Sequence, residues 1–221
     1  MTLGDEAQRL AVLTHEVRSP VAALSAIADN FPDAGLERAA RLELARLAIA
    51  ACRGIERVVI DAAMASIHLE QVDVCTIAQQ AAAAATLGGE LVQTDVPTDA
   101  PRIAADPVRL RQALDNLIAN ALTHAGPDPG IVVKVAFDET WLELSVQDSG
   151  VGVPLVEQKR IFEPGVRLDT QRAGSGLGLA VARGIVEAHG GELLLHSNPG
   201  EGATFALLLP LDQPATAASS R

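Results

Sequence analysis

Four short motifs in a fixed order restrict what this chain can fold into more than any other feature. They are Asn116-Leu-Ile-Ala-Asn120, Asp148-Ser-Gly-Val-Gly152, Phe162-Glu-Pro-Gly165 and Gly174-Ser-Gly-Leu-Gly-Leu179. Residues four apart share one face of a helix, so Asn116 and Asn120 project together. Leu117, Ile118, Ala121 and Leu122 around them require that helix to be largely buried. Asp148 closes an alternating apolar segment, and Gly150 and Gly152 permit tight turns directly after it. Gly174, Gly176 and Gly178 lead into a further helix. A fold that satisfies all four motifs gathers a buried helix, a strand end and a glycine-rich helix start.

Composition narrows the setting. Of 221 residues, 48% are hydrophobic and 20% charged, so a packed core is expected. Aromatic residues make up only 2%, with one Trp and no Tyr, so that core is aliphatic and alanine-rich. The formal net charge of −11 argues against a nucleic-acid surface and suits protein partners. Cys52 and Cys75 have neither metal-site spacing nor the number for a disulfide framework, and are expected to be reduced, mostly buried thiols of a cytoplasmic protein. No apolar run approaches the roughly 18 residues of a membrane span, and no signal peptide is present.

Two helices are expected first. Residues 4–28 place Leu10, Leu13, Val17, Val21, Leu24 and Ala28 on one face. Asn30-Phe-Pro-Asp-Ala-Gly35 breaks the pattern. A second helix over 36–68 carries Leu44, Leu47, Ala51, Ile55, Val58, Ala62 and Ala65. One antiparallel hairpin cannot bury both stripes, whereas two hairpins from two chains form a four-helix bundle, so a homodimer is expected. The texture changes near Glu70. Helices are expected over 74–87, 107–123 and 176–189, with a short helical piece over 156–161. Strands are expected over 91–96, 102–105, 131–137, 141–147, 192–197 and 204–209. Asp106-Pro107 is a helix start, with Asp as cap and Pro at the first helical position. The class is α+β: a helical hairpin over 1–70, an α/β domain over 71–211 and a disordered tail over 212–221.

The motifs suggest chemistry. Carboxamide oxygens at Asn116 and Asn120 suit Mg²⁺ and phosphate-side contacts, although a solvated polar helix face is the plainer reading. Asp148 can accept the amino hydrogen that adenine offers, or be an ordinary turn residue. Backbone N–H groups at a glycine-rich helix start cradle phosphate. The stretch from Phe162 to Gly174 has the look of a lid, with Arg167 or Arg172 near a triphosphate. His124 is the one other histidine placed near a nucleotide; His68, His189 and His196 read as structural or surface residues. Far upstream, Thr14-His15-Glu16-Val-Arg-Ser-Pro20 puts His15 off the apolar stripe, facing outward. A neutral imidazole is a competent nucleophile, and the adjacent Glu16 can orient it and take its proton. Pro20 bends the helix beside it.

Taken together, the chain resembles bacterial sensor histidine kinases along nearly its whole length. Thr14–Pro20 is similar to that family's H box, Asn116–Asn120 to its N box, and Phe162-Glu-Pro to its F box. Asp148–Gly152 and Gly174–Gly178 (Gly174, Ser175, Gly176, Leu177 and Gly178) are similar to its two glycine boxes. Pro199–Phe205 resembles its closing hairpin. The resemblance implies a dimerisation and phosphotransfer hairpin followed by an α/β sandwich of the gyrase and histidine kinase type, with helices on one face of a mixed sheet. It implies that His15 is phosphorylated from Mg-ATP with Glu16 as general base, and that the group passes to an aspartate on a response regulator receiver domain. Asn120 would be the main Mg²⁺ ligand, Asn116 a neighbouring contact and Asp148 the adenine reader. Ser19 stands where the family places a polar residue that supports phosphatase action. Where the family often has a basic and an aromatic residue after the N box, this chain has Thr123 and His124. Only 14 residues precede His15, so the usual signal-transmitting helix is expected to be short or missing, the chain being either a cut-down piece or a small soluble kinase commanded by a separate sensor or activating protein. The other readings are an ATP-binding dimeric adaptor without phosphotransfer, and a serine kinase or gyrase-like clamp of the same ATPase superfamily.

Overall fold

The computed structural model describes residues 38–64, 67–89, 91–126, 130–167 and 176–212, together with Val21, Ala22, Leu24, Ser25 and Ile27, which are helical. The chain separates into two compact units, residues 1–65 and 66–221. In the first, helix α1 spans Arg38–Met64. Among its described side chains only Ala51 is buried, while Leu42, Leu47 and Ile49 are each at least half exposed (56%, 50% and 54%). The turn at Asn30–Gly35 and most of the helix expected over 4–28 lie outside the described residues. The helix expected to reach His68 ends earlier. His68 lies beyond it in non-helical backbone, and its N–H donates to Asp106 Oδ2 at 3.0 Å.

In the second unit, β1 (Glu70–Val72) pairs antiparallel with β3 (Ile103–Ala105). Three further helices follow in chain order: α2 (Val74–Leu87), α3 (Pro107–His124) and α4 (Gly178–Ala188). The main sheet comprises β2 (Val92–Asp95), β4 (Ile131–Phe137), β5 (Trp141–Asp148), β6 (Glu192–Ser197) and β7 (Ala203–Pro210). Its order is β2-β4-β5-β7-β6, with β2 parallel to β4 and the other neighbours antiparallel, so the sheet is mixed. The segment expected to be helical over 156–161 is instead a series of turns closing in a 3₁₀ turn at Arg160–Phe162. Val156 there is exposed and only Ile161 reaches the core, which is too little apolar anchorage to hold an α-helix.

Alternation decides which face of the sheet is covered. Val133, Val135, Leu142, Leu144, Val146, Phe205, Leu207 and Leu209 are all buried. The register pairs Val133 with Val146, Leu144 with Leu207 and Val146 with Phe205, which puts them on one side. They meet Leu110, Leu114 and Leu117 of α3 and Ile185 of α4, which are likewise almost wholly buried. Each fully buried Leu or Ile contributes roughly 1.5–3 kcal/mol. The core is aliphatic as the composition requires, with Phe205 and His189 the only rings among the largest fully buried side chains of the described residues.

Asp106 sets where α3 begins. Its Oδ1 accepts from the N–H groups of Val108 and Arg109, both at 3.1 Å, and Oδ2 accepts from His68. Its own N–H donates to His189 Nε2 at 2.9 Å, and Nδ1 of that buried ring lies 2.7 Å from Ile185 O. These two contacts select the tautomer protonated on Nδ1, which donates to Ile185. Burial disfavours the Asp106 charge, but the N–H groups of His68, Arg109 and Val108 outweigh it and hold the carboxyl below its ordinary value. The resulting stability is present above the ordinary carboxylate value, about pH 4, and is lost as pH falls through the lower folded value. Asp106→Ala is therefore expected to cost about 2–3 kcal/mol at neutral pH, from a lost helix cap and a third charge-assisted bond. Thermal unfolding across pH tests this: the gap to the unsubstituted chain should close in acid, and a gap that widens there would contradict the assignment.

Candidate functional site

Three pieces of the second unit converge beside α3. Asn116 and Asn120 lie on one face of that helix, both half-buried. Among the described residues neither carboxamide has a hydrogen-bond partner, so both are open to a ligand. The start of α4 meets this face, since a Cβ built on Gly178 would stand 3.7 Å from the Asn116 side chain. A helix start carries a positive dipole end and N–H groups without intrahelical partners.

The second piece is the end of β5. Asp148 is buried at 7% exposure, and its Oδ1 accepts the N–H of Gly150 at 2.9 Å. Burial pushes the Asp148 carboxyl above its ordinary value, against the opposing N–H groups of Gly150 and Ala203 and the charge of His124. His124, exposed in the last turn of α3, is thus close enough to act electrostatically on Asp148. Space explains the glycines. A Cβ on Gly150 would stand 2.6 Å from Ala125 Cα, so the loop lies directly against the end of α3. Gly152 has φ +70°, and a Cβ there would collide with the carbonyl oxygen of Asn198 in the β6–β7 turn. That turn is bonded back to the same loop, Gly200 N–H donating to Val151 O at 2.7 Å.

The third piece is the segment leading from Phe162. Its ring packs edge-on against Phe205, centroids 6.3 Å apart, and the Arg183 guanidinium lies 6.0 Å from its centroid. Gly165 N–H donates to Gly176 O at 3.2 Å, which ties the two ends of the intervening segment together. Of the glycine-rich start of α4, Gly178 lies against Asn116 of α3, and Gly176 lies against Gly165 and Val166. Arg172, Gly174 and Ser175 lie outside the described residues, as do His15, Glu16, Ser19 and the tail from 213. Sequence reading passed over Arg183; its place on the exposed side of α4, four residues before Glu187, gave only the signal of a surface ion pair, which it also forms at 2.7 Å.

A half-buried carboxamide pair, a buried carboxylate behind glycine turns and a glycine-rich helix start, all on the helix-covered side of a mixed sheet, define a nucleotide-binding α/β protein. Residues 105–213 match the family described as histidine kinase-, DNA gyrase B-, and HSP90-like ATPases. Residues 105–213 are a domain of that ATPase family, similar to the one in bacterial sensor histidine kinases. The adaptive-response sensory kinase SasA of Synechococcus sp. (strain CC9902) is 44% identical over 126 residues, which are 55% of this chain and 33% of that protein. The chain thus spans about a third of the length of the curated relatives it matches. Among solved structures, full-length ShkA in complex with AMPPNP superposes with TM-score 0.64 at 28% identity, covering 95% of this chain and 47% of that one. The mycobacterial sensor histidine kinase MprB superposes with TM-score 0.57 at 26% identity, covering 65% of this chain and 97% of that one.

Proposed function

We propose that this chain is the kinase core of a two-component sensor histidine kinase. It binds Mg-ATP in the second unit, phosphorylates His15 and passes the phosphoryl group to an aspartate of a response regulator. The observation that carries this reading is the meeting of the unpartnered Asn116–Asn120 face with the start of α4 and, around the end of α3, with Asp148. A nucleotide laid across it has adenine at one end and phosphates at the other. Asp148 accepts from the adenine amino group, with His124 beside it. Gly150 and Gly152 let the loop after Asp148 pack on Ala125 and Asn198, which holds the carboxylate for the base. N–H groups from Gly174 to Gly178 cradle the phosphates, with Arg172 as a cation near them and Phe162 anchoring the segment that leads there. The similarity to SasA, and to a kinase solved with AMPPNP, supports ATP as the phosphoryl donor.

Mg²⁺ fits this donor set. Among the described residues no cluster of three or more His, Cys, Asp or Glu side chains stands ready to hold a metal alone. The neutral, half-buried Asn120 oxygen is a hard ligand suited to an ion that already rides on phosphates. When bound, the ion offsets charge on the phosphoryl oxygens. The chain's own residues do the rest. The neutral His15 ring nitrogen attacks the γ-phosphorus in line, the bond to the ADP oxygen breaks, and Glu16 takes the ring proton. Ser19 stands where its hydroxyl would assist a separate hydrolysis, by water, of the regulator's aspartyl phosphate. The exposed Leu42, Leu47 and Ile49 of α1 support a homodimer through the first unit, where a second copy would cover them. A separate sensor or activating protein completes the expected partners. Among the described residues no helix is long and apolar enough to cross a membrane, and we place the kinase core in the cytoplasm.

Asp148→Asn tests the adenine reading. Loss of one charge-assisted bond is expected to weaken ATP by about 1–3 kcal/mol. The raised carboxyl makes a second expectation possible. Ionising Asp148 costs the folded state, and that cost is present above the raised folded value and absent below the ordinary one. At neutral pH the ATP-free Asn variant should therefore be at least as stable as the unsubstituted chain. Calorimetric ATP titration and thermal unfolding of the same samples check both; unchanged ATP affinity would place adenine recognition elsewhere.

A further inference from the structure

We propose that Ser197 and Gln158 are positioning residues that set the adenine-reading geometry of Asp148; this rests on the nucleotide reading above. The backbone leaving Gly152 is held by side chains from two other segments. Val153 N–H donates to Ser197 Oγ at 2.8 Å, and the same hydroxyl donates onward to Gly202 O at 2.7 Å. Gln158 Nε2 donates both its hydrogens, one to Val153 O at 3.0 Å and one to Ser197 O at 2.9 Å. All four bonds are partly shielded from water.

The loop after Asp148 is thereby tied to the end of β6 and the β6–β7 turn beyond the Gly200–Val151 bond. Gly202 approaches Asp148 from that turn closely enough that a Cβ would collide with the Asp148 carbonyl. The clasp thus fixes both flanks of the carboxylate: Gly150, whose N–H holds Oδ1, and the strand that carries Ala203. Removing the Ser197 hydroxyl strands one N–H and one carbonyl, so the loop must shift to rehydrate them. A buried carboxylate that reads one amino group tolerates little displacement, because its discrimination depends on a directed hydrogen bond.

The test measures dissociation constants of ATP and inosine triphosphate, which lacks the amino group, on the full chain. The unsubstituted chain, Ser197→Ala, Ser197→Thr, Gln158→Met and Asp148→Asn are compared, with thermal unfolding alongside. We expect Ser197→Ala to weaken ATP about tenfold and inosine triphosphate far less, narrowing the preference. Ser197→Thr, which keeps the hydroxyl, should restore it. Gln158→Met, which keeps the side-chain length, should narrow it in the same sense, and this arm decides if Ser197→Ala fails to fold. Equal weakening of both nucleotides, or an unchanged preference, overturns the positioning role while Asp148→Asn still abolishes the preference. An Asp148→Asn chain that keeps its preference for ATP sinks the adenine reading itself, and the positioning role with it.

Discussion

Gly152→Val is expected to abolish ATP binding and destabilise the second unit by about 3–5 kcal/mol. Two independent costs add. A β-branched residue is strained at φ +70°, and its Cβ has no room beside the Asn198 carbonyl oxygen. Relief requires the loop and the β6–β7 turn to separate, which breaks the Gly200–Val151 bond and displaces the backbone that follows Asp148. The effect is therefore felt in fold and site together, unlike that of Asp148→Asn, which separates them. Thermal unfolding and ATP titration of the variant measure it, and an unfolding midpoint and ATP affinity that both stay unchanged would contradict the close contact.

His15→Ala is expected to remove all phosphoryl label from the chain while ATP affinity stays within about twofold of the original. The expectation follows from the proposed division of labour: His15 falls in residues 1–65 and the proposed nucleotide residues in 66–221. With imidazole as the proposed attacking group, no neighbouring residue in Thr14–Pro20 can replace it with the same chemistry. Label retained at full level would remove His15 from the mechanism and leave the nucleotide site standing.

The parts of the fold that local chemistry dictates were legible in the sequence. Asp106-Pro107 announced α3 because the carboxylate accepts from the orphan N–H groups of Val108 and Arg109, and a proline at the first helical position has no N–H to satisfy. Alternation revealed β4, β5 and β7 because one side of the sheet is covered and the other is not. β1 was missed: it has three residues, only Val72 is buried, and it exists through its pairing with β3 some thirty residues on. That pairing makes Glu70 part of the second unit rather than the last residue of the first. The parallel pairing of β2 with β4 was invisible for a related reason, since nothing in four residues encodes a partner beyond an intervening helix.

The site divides in the same way. Asn116 and Asn120 were placed on one face by spacing alone. Their meeting with Gly178, the closeness of His124 to Asp148, and the packing of Gly152 on Asn198 are tertiary facts that required the fold. The Ser197–Gln158 clasp had no motif to betray it, because a hydroxyl and an amide acquire meaning only from the backbone groups they reach.

Incubation of the chain with γ-labelled ATP and Mg²⁺, followed by acid and alkali treatment of the labelled protein, tests the central claim most directly. A phosphohistidine formed at His15 predicts a label on the protein that is lost in acid and survives alkali. A chain that binds ATP yet acquires no label, or one whose label survives acid, would contradict the kinase reading; the first result would favour an ATP-binding dimeric adaptor.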